Sequence, residues 1–403
     1  MITFSIASTK SESIFSPSVY REVLGKCRRY SCQSLYIATN FCKTGKLLRG
    51  GAYLRRFIMK IQLSHSFEDI IGVENLLEAW KEFVKGKRGK KDVQEFSFHL
   101  MDNILSLHED LSNYTYTHGR YQAFNICDPK PRSIHKASVR DRLLHHTLYR
   151  KLYPFFNKTF ISDSFSCRLA KGTHRALNRF RSFAYKVSKN NTKTCWVLKC
   201  DIKKFFASVD HKVLVDILQQ YIPGQNILRL LKNVIESFSS TSPGVGLPLG
   251  NLTSQLLVNI YLNEFDQFVK HKLKIKYYIR YCDDFIILSN SDERLRRLVF
   301  PINEFLKEKL KLSLHSDKIS IRKYHQGVDF LGYVSFPHHR ILRIKTKRRM
   351  FKKIEQRIEE LKQSKISKES FNQSSQSYLG ILKHCNSYKL QQRLKNQIWR
   401  YIK

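Results

Sequence analysis

Asp283 and Asp284 are adjacent carboxylates whose position predicts chemistry with a cation. Two neighbouring carboxylates repel each other inside a protein, so they need a compensating cation or a solvated turn. Apolar, β-prone residues flank the pair at 277–281 and 285–288. This pattern predicts a β-hairpin with the two aspartates at its tip.

A third carboxylate, Asp201, follows the short apolar segment 196–200, which has the composition of a strand. Three carboxylates on two strands can hold two Mg²⁺ ions spaced for phosphoryl transfer. Hard oxygen ligands suit magnesium, and substrate phosphates would complete its octahedron. A solvated turn is the alternative for an isolated Asp-Asp pair, but further motifs follow one another in a consistent order here.

These motifs resemble those of reverse transcriptases. Residues 281–284 resemble the Tyr-x-Asp-Asp box, residues 201–206 the first metal-binding motif of the palm, and residues 246–255 the loop that positions template and nucleotide. The remaining segments resemble fingers motifs, at 132–134, 140–142, 165–168 and 172–174, and a primer-grip hairpin, at 328–333. The resemblance extends over residues 60–400 and is to the bacterial and phage lineage of group II introns and retroelements.

The resemblance implies an α+β fold with fingers, palm and thumb. An antiparallel palm sheet would be backed by helices and followed by a helical thumb, and the alternation of hairpins and helices along the sequence agrees with this fold class. The implied activity is RNA-directed DNA synthesis from dNTP substrates with two Mg²⁺ ions. The implied partners are an RNA template and the cDNA/RNA duplex product.

The resemblance also assigns roles at the metal site. Asp201 and Asp283 match direct metal ligands, and Asp284 matches the carboxylate that lies beside the ions. The backbone carbonyl of Ile202 would complete the shell of the second metal. Lys318 matches a lysine that protonates the pyrophosphate leaving group, and the alternative is a lysine at a strand edge.

Three residues match nucleotide-binding positions. Arg132 and Arg140 would neutralise the triphosphate through their forked donors, although in so basic a chain surface charge is the alternative for any single arginine. Phe206 matches the aromatic residue that blocks a ribose 2′-hydroxyl, and Phe205 is the predicted core residue. If both lie on a strand, the two rings point to opposite sides.

Contacts with the template and primer are predicted for a further group of residues: Arg168, Gln255, Phe330, Leu331 and Gly332. Gln255 has a hydrogen bond at a helix N-terminus as its alternative role. Phe330 and Leu331 have a core strand as theirs. Gly332 would permit close passage of the primer backbone.

Leu249 and Gly250 distinguish the nucleotide-positioning loop. Most reverse transcriptases carry Gln where this chain has Leu249, and the variant is similar to the enzymes of diversity-generating retroelements, which err at template adenines. Leucine offers only apolar contact, so geometric checking of the nascent pair should loosen. Gly250 would allow the backbone to approach the base pair.

The resemblance to that group implies mutagenic cDNA synthesis from a template-repeat RNA, with a small basic ring-forming accessory protein as partner. Two alternatives stay open: a reverse transcriptase of anti-phage defence or of the group II intron type, and a degenerate polymerase that only binds RNA. The last would be expected to lack a metal carboxylate, and all three are present.

Composition favours a nucleic acid as the working partner. The 403 residues include 72 basic and 33 acidic ones, a formal net charge of +39. Such an excess destabilises a folded chain by self-repulsion unless a polyanion compensates it. No apolar run of about 18 residues and no signal peptide occur, which argues against a membrane. The nine cysteines lack metal-ligand spacing and predict free thiols in a reducing cytoplasm, and the resemblance implies a bacterial or phage-encoded protein.

Hydrophobic periodicity predicts helices at 73–84, 95–108, 140–155, 212–221, 253–273, 292–310, 345–363 and 378–402, with a Ser/Gln/Lys-rich linker at 364–377. Strands are predicted at 194–206, 276–289 and 319–336.

The predicted organisation has four parts. Residues 1–58 form an N-terminal extension, with Met59 as an alternative natural start, and residues 59–195 form the N-terminal helices and fingers. Residues 196–336 form the palm, which includes fingers-palm elements at 212–250, and residues 337–403 form the thumb.

Overall fold

The computed structural model of the protein describes residues 61–127 and 131–402. The predicted extension at 1–58 and the predicted start at Met59 lie outside this part, as do Cys27, Cys32 and Cys42. Every cysteine within it is a free thiol. None of the described helices combines the length and apolar character that a membrane span requires.

Four helices open the described chain: α1 (Phe67–Ile71), α2 (Val73–Phe83), α3 (Lys91–Phe98) and α4 (Leu100–Ser112). The predicted helix at 73–84 is confirmed, with Leu76, Trp80 and Phe83 buried. The predicted single helix at 95–108 is wrong. The backbone leaves helical geometry at His99, so that two helices pack separately while the apolar period continues across the break.

A two-stranded hairpin and two helices follow: β1 (Gln122–Ile126), β2 (Arg132–Lys136), α5 (Val139–Thr159) and α6 (Thr173–Val187). The hairpin is antiparallel. Helix α5 begins where the Ser138 side chain accepts a hydrogen bond from the Asp141 amide, an N-cap arrangement. It therefore covers and extends the helix predicted at 140–155.

The central elements are β3 (Trp196–Asp201), α7 (Phe205–Ser208), α8 (His211–Gln219), α9 (Gln225–Glu236), α10 (Leu252–Gln267), β4 (Tyr278–Tyr281), β5 (Asp284–Ser289), α11 (Asp292–Leu310) and β6 (Ser320–Lys323). The four strands form one antiparallel sheet in the order β4-β5-β3-β6. The strand predicted at 194–206 ends at Asp201, because Lys204 adopts a left-handed conformation and α7 follows.

Helix α10 forms the centre of the core behind this sheet. Its residues are buried around almost the whole circumference, including Leu256, Ile260 and Phe265, as expected for a helix covered on all sides. It packs against α5 and is extended by a π-helical turn at Phe268–Lys272, which accounts for the longer helix predicted to residue 273. The predicted α+β class is thus confirmed, with an antiparallel sheet backed by helices.

The last elements are a small sheet and three helices: β7 (Val328–Phe330), β8 (Tyr333–Ser335), β9 (Arg340–Leu342), α12 (Ile344–Lys362), α13 (Lys368–Leu382) and α14 (Tyr388–Ile402). The predicted linker at 364–377 and single final helix at 378–402 are wrong. Ser367 caps α13 and Phe371 anchors it, 1% exposed, in the helical core. Burial of this one aromatic side chain stabilises a helix in a segment whose polar composition had indicated a linker.

Replacing Phe371 by alanine should destabilise the three C-terminal helices by about 3–5 kcal/mol, because a buried aromatic side chain leaves a cavity. Hydrogen exchange of α12 to α14 measures the loss of protection. Phe300→Ala is the matched control, since that ring is 74% exposed and its removal should leave exchange unchanged. Equal exchange in both variants would mean that residues 364–377 act as a linker after all.

Candidate active site

The two adjacent aspartates lie at a tight hairpin turn between β4 and β5. Tyr281 pairs with Asp284, so that Cys282 and Asp283 form the two-residue connection. Cys282 has a φ of +56°, an uncommon conformation for a residue with a side chain. The predicted β-hairpin with the carboxylates at its tip is confirmed.

Asp201 faces Asp284 across the sheet. The two are directly opposite residues of β3 and β5, at the end of their ladder. Opposite residues of an antiparallel pair present their side chains on the same face. Asp283 lies next to them in the turn, where its carbonyl accepts a hydrogen bond from the amide of Ile202 at 3.3 Å. Three carboxylates are thereby gathered at one edge of the palm sheet.

The local electrostatics favour a cation at this edge. Burial raises the pKa of Asp284 to about 7; Lys199 opposes this shift, and the charges of Asp283 and Asp201 add to it. Burial also raises the pKa of Asp283, and the charge of Asp201 reinforces the effect. Carboxylates that resist ionisation on their own ionise when a cation binds between them, so this cluster gains charge as it binds a metal.

The donor set fits magnesium without forming a closed metal site. In residues 61–127 and 131–402, no group of three or more His, Cys, Asp or Glu side chains is arranged to hold a metal ion by itself. Mg²⁺ is usually held by one or two carboxylates together with substrate phosphates and water. The facing pair Asp201 and Asp284 offers such oxygen ligands, and binding of two ions stays a prediction.

Lys318 supplies a positive charge at the same place. It ends a short 3₁₀ turn at Ser316–Lys318, and its Nζ lies 2.7 Å from Asp201 Oδ1. The backbone amide of His315 donates to the Asp201 carbonyl at 2.8 Å, which fixes the turn to β3. Lys318 therefore touches the carboxylate cluster and does not lie on a strand edge.

Phe205 and Phe206 separate as predicted, but for a different reason. Phe205 is buried and Phe206 is half-buried. Both lie on the short helix α7, so the alternation expected of a strand is wrong and the turn of the helix separates the rings. The Phe206 carbonyl accepts from the Leu247 amide at 2.7 Å, which ties the ring's backbone to the nucleotide-positioning loop.

The loop at 249–251 is fastened to strand β2 of the N-terminal hairpin. The His135 amide donates to the Leu249 carbonyl at 3.0 Å, and Asn251 Nδ2 donates to the His135 carbonyl at 3.3 Å. Gly250 has a φ of +109°, and a Cβ there would lie 2.9 Å from Ile134 Cγ2. Glycine is therefore required by the close approach of β2, a cause that the sequence did not reveal.

The three predicted arginines have different environments. Arg132 is exposed at the start of β2. Arg140 forms an ion pair with Asp110 of α4, and its guanidinium lies 5.4 Å from the centre of the Tyr116 ring. Arg168 donates hydrogen bonds to Asn157 and to the backbone carbonyls of residues 157, 161 and 164. This environment favours an architectural role for Arg168 over the predicted contact with a template.

The predicted primer-grip residues form the hairpin between β7 and β8. Leu331 and Gly332 are its two turn residues, with φ values of +51° and +86°, and Phe330 is fully buried. Phe330 thus has the core position that was its alternative role. The positive φ of Gly332 favours glycine at this turn position. Crowding is not the cause, since a Cβ there would meet only Thr346 Oγ1, at an ordinary contact distance of 3.6 Å. Gln255 is half-buried in the first turns of α10.

A buried ion pair beneath the turn at Cys282 and Asp283 escaped the sequence analysis. Arg280 on β4 and Asp266 on α10 are 1% and 0% exposed, with Nη2 and Oδ2 2.7 Å apart. The Tyr278 hydroxyl donates to Asp266 at 2.7 Å. Arg280 Nη1 donates to the Cys282 carbonyl at 3.2 Å, so the pair holds the backbone of the turn directly. Its only signal in the sequence was the single charge of Arg280 inside the apolar segment 277–282, since Asp266 lies among other polar residues.

Comparison with known proteins gives the class to which this site belongs. Residues 128–335 match the family model described as "Reverse transcriptase (RNA-dependent DNA polymerase)". The chain belongs to this family, because the match spans half of its length and contains every carboxylate of the site.

Two curated relatives are similar over part of the chain. Protein YkfC of Escherichia coli is 25% identical over 253 residues, which is 53% of this chain and 64% of that protein. The group II intron-encoded protein LtrA of Lactococcus lactis subsp. cremoris is 24% identical over 271 residues, 51% of this chain and 44% of LtrA. The chain therefore spans less than two thirds of either relative.

Among solved structures, apo telomerase from Candida tropicalis, truncated from its C-terminal domain, is similar at 15% identity with a TM-score of 0.43. That similarity covers 61% of this chain and 60% of the telomerase chain.

Removing one member of the buried pair should destabilise the protein strongly. Asp266→Asn leaves the Arg280 charge uncompensated in the core, which costs about 3–5 kcal/mol. The double variant Arg280→Met/Asp266→Leu should recover most of this loss, because it leaves no buried charge. Urea unfolding measures both.

Arg297→Gln is the control for this experiment, since it breaks an exposed pair with Glu293 that is worth at most about 1 kcal/mol. If Asp266→Asn were no more destabilising than Arg297→Gln, the pair would not be a structural constraint.

Proposed function

We propose that the protein is an RNA-directed DNA polymerase that extends a primer along an RNA template, with dNTPs as substrates and Mg²⁺ as its metal. The observation that carries this proposal is the facing pair Asp201 and Asp284, with Asp283 in the adjoining turn and Lys318 bound to Asp201. This is a phosphoryl-transfer constellation within a segment of the reverse transcriptase family.

The chain's own residues would hold the ions and order the substrates. When bound, two divalent ions would lower the pKa of the primer 3′-hydroxyl and stabilise the charge that develops on pyrophosphate. Asp201, Asp283 and Asp284 would supply the ligands, together with the backbone carbonyl of Ile202. Lys318, whose Nζ donates a hydrogen bond to Asp201, would supply a proton to the departing pyrophosphate.

Recognition of the nucleotide would fall to the surfaces next to the carboxylates. Phe206 would exclude a ribose 2′-hydroxyl by steric contact, and the Leu249 loop would cover the nascent pair. The exposed Arg132 would pair with the triphosphate. Arg140 would exchange its ion pair with Asp110 for the same ligand, since phosphate carries more charge than one carboxylate.

The biological role that we propose is error-prone copying of a template-repeat RNA, as in diversity-generating retroelements, with a small basic accessory protein. Leu249 supports this role. Its carbonyl is fixed to β2, and its half-buried side chain offers only apolar contact. A polar residue would restrain the template base by a hydrogen bond, and leucine does not.

Copying of the group II intron type, or in anti-phage defence, is the second candidate. The similarity to LtrA, named as a group II intron-encoded protein, favours the intron type. The error spectrum of the cDNA separates the candidates, because only the retroelement role calls for errors concentrated at template adenines.

Asp283→Asn and Asp201→Asn should each reduce the rate of dNTP incorporation by at least about a hundredfold, because each removes a carboxylate charge from the reacting centre. Primer extension on a defined RNA template with Mg²⁺ measures the rate. Asp317→Asn is the matched control, since Asp317 lines the same cleft without joining the carboxylate cluster. Near-normal activity of Asp283→Asn would refute the assignment.

Leu249→Gln should raise fidelity, because an amide can hydrogen-bond near the nascent pair and reject distorted geometries. Sequencing of cDNA made on an adenine-rich template gives the error spectrum before and after the change. Leu249→Met keeps the apolar contact and should keep the original spectrum. An identical spectrum for Leu249→Gln would exclude this residue as the source of low fidelity.

Phe206→Ala should allow ribonucleotides to be incorporated more readily, because the ring no longer occupies the space beside the sugar. The ratio of rNTP to dNTP incorporation measures this, and Phe206→Tyr, which keeps the ring, should retain the original ratio. Unchanged discrimination in Phe206→Ala would remove Phe206 from the nucleotide site.

A further inference from the structure

A second cavity lies on the palm away from the carboxylates, and we call it the palm-edge pocket. It has a volume of about 330 Å³ and lies between the end of α6, the segment that leads into β4, the end of β5 and the start of α11. Strand β5 runs from Asp284 at the active site to Ser289 at this pocket. At about 3.4 Å per residue, some 17 Å separate the two sites.

Five cationic side chains line the palm-edge pocket: Lys186, Lys189, Lys274, Lys276 and Arg294. All five are exposed, and no acidic residue is among the lining residues. Clustered cations repel one another, and a bound anion relieves this repulsion beyond what solvent screening achieves. The pocket is therefore an anion site by charge.

Acidic side chains occur close by, but they are paired with other cations. Asp292 and Glu293, at the start of α11, pair with Arg296 and Arg297. Asp163 pairs with both Arg179 and Lys270. Within the described part of the chain, the five pocket cations have no carboxylate partner of this kind. The nearby carboxylates are thus paired with cations outside the pocket, and the positive charge of the pocket is left without a carboxylate partner.

The pocket also contains an aromatic ring in a fixed position. Tyr277 lines it and is half-buried, and its ring packs edge-on against Phe183 with 5.2 Å between the ring centres. Lys276 Nζ lies 5.7 Å from the centre of the same ring. Cations beside an aromatic face are the combination that binds single-stranded nucleic acid, in which phosphates meet the cations and a base stacks on the ring.

We infer that the palm-edge pocket binds the phosphate backbone of single-stranded RNA, outside the cleft where copying takes place. Its lysines bind phosphate as point charges and its ring requires an unstacked base, which a duplex does not offer. The choice of RNA as the strand rests on the proposed function, because the template is the RNA that this protein would hold. The pocket would anchor template that is not being copied.

The test compares two nucleic acids with the intact protein made catalytically inactive by Asp283→Asn, so that binding is measured without synthesis. One is a blunt primer–template hybrid, and the other is the same hybrid with single-stranded RNA extensions of about 20 nucleotides at both ends of the template. The pocket variant is Lys274→Gln/Lys276→Gln/Arg294→Gln. The control Lys212→Gln/Lys307→Gln/Lys309→Gln removes the same charge from exposed lysines outside the pocket.

The pocket variant should bind the extended hybrid at least about tenfold more weakly than the control and bind the blunt hybrid as the control does. The slope of log affinity against log salt should fall by about 2, since each lost phosphate contact on a single strand contributes about 0.7. Tyr277→Leu should weaken binding of the extended hybrid about tenfold while leaving that salt slope unchanged, because it removes only stacking.

Equal affinities of the pocket and control variants for the extended hybrid would overturn the inference, because net charge alone would then explain binding. Binding of polyglutamate that the pocket variant loses and the control keeps, while both bind the extended hybrid equally, would also overturn it, in favour of an acidic protein partner. Failure of the proposed polymerase would be recognised separately. Primer extension on a hybrid with only a short template overhang, with Asp283 restored, should proceed at the parent rate in both triple variants.

Discussion

The buried ion pair between Arg280 and Asp266 is the constraint on which the active site depends. Two charges removed from water are tolerated only when each finds partners, and Arg280 finds Asp266, Asn259, Ser164 and the Cys282 carbonyl. One guanidinium thereby joins α10, the segment before α6 and the catalytic turn. Removal of either charge would disturb all three segments, because the remaining charge is buried and cannot be solvated by water. The carboxylates can lie close together at this turn because Arg280 fixes its backbone through the Cys282 carbonyl.

The sequence was a good guide wherever local pattern decides structure. Apolar, β-prone residues on both sides of Asp283 and Asp284 predicted the hairpin, and the apolar period predicted α2 and the bounds of α11. It did not reveal the contacts between distant segments. The hydrogen bonds that occupy Arg168, the need for glycine at 250 created by Ile134, and the burial of Phe371 all depend on partners that local pattern does not reveal.

The distribution of charge explains how a chain with a net charge of +39 folds. Several of its carboxylates lie in the core or beside cations: Asp266 and Asp141 are buried, Asp163 lies between two cations, and the cluster lies at the end of β3 and the start of β5. Many of the lysines and arginines in the described part of the chain lie on the surface, where solvent screens them and polyanions can reach them. Self-repulsion in the free protein and attraction for nucleic acid have the same origin.

The attachment of the 249–251 loop to strand β2 has a mechanical consequence. Two hydrogen bonds and the contact between Gly250 and Ile134 leave no slack between the N-terminal hairpin and the backbone of Leu249. A displacement of that hairpin must carry the loop with it, as parts of one rigid body. If the Leu249 loop covers the nascent pair as proposed, a change that shifts the hairpin would alter the accuracy of copying as well as the position of the hairpin.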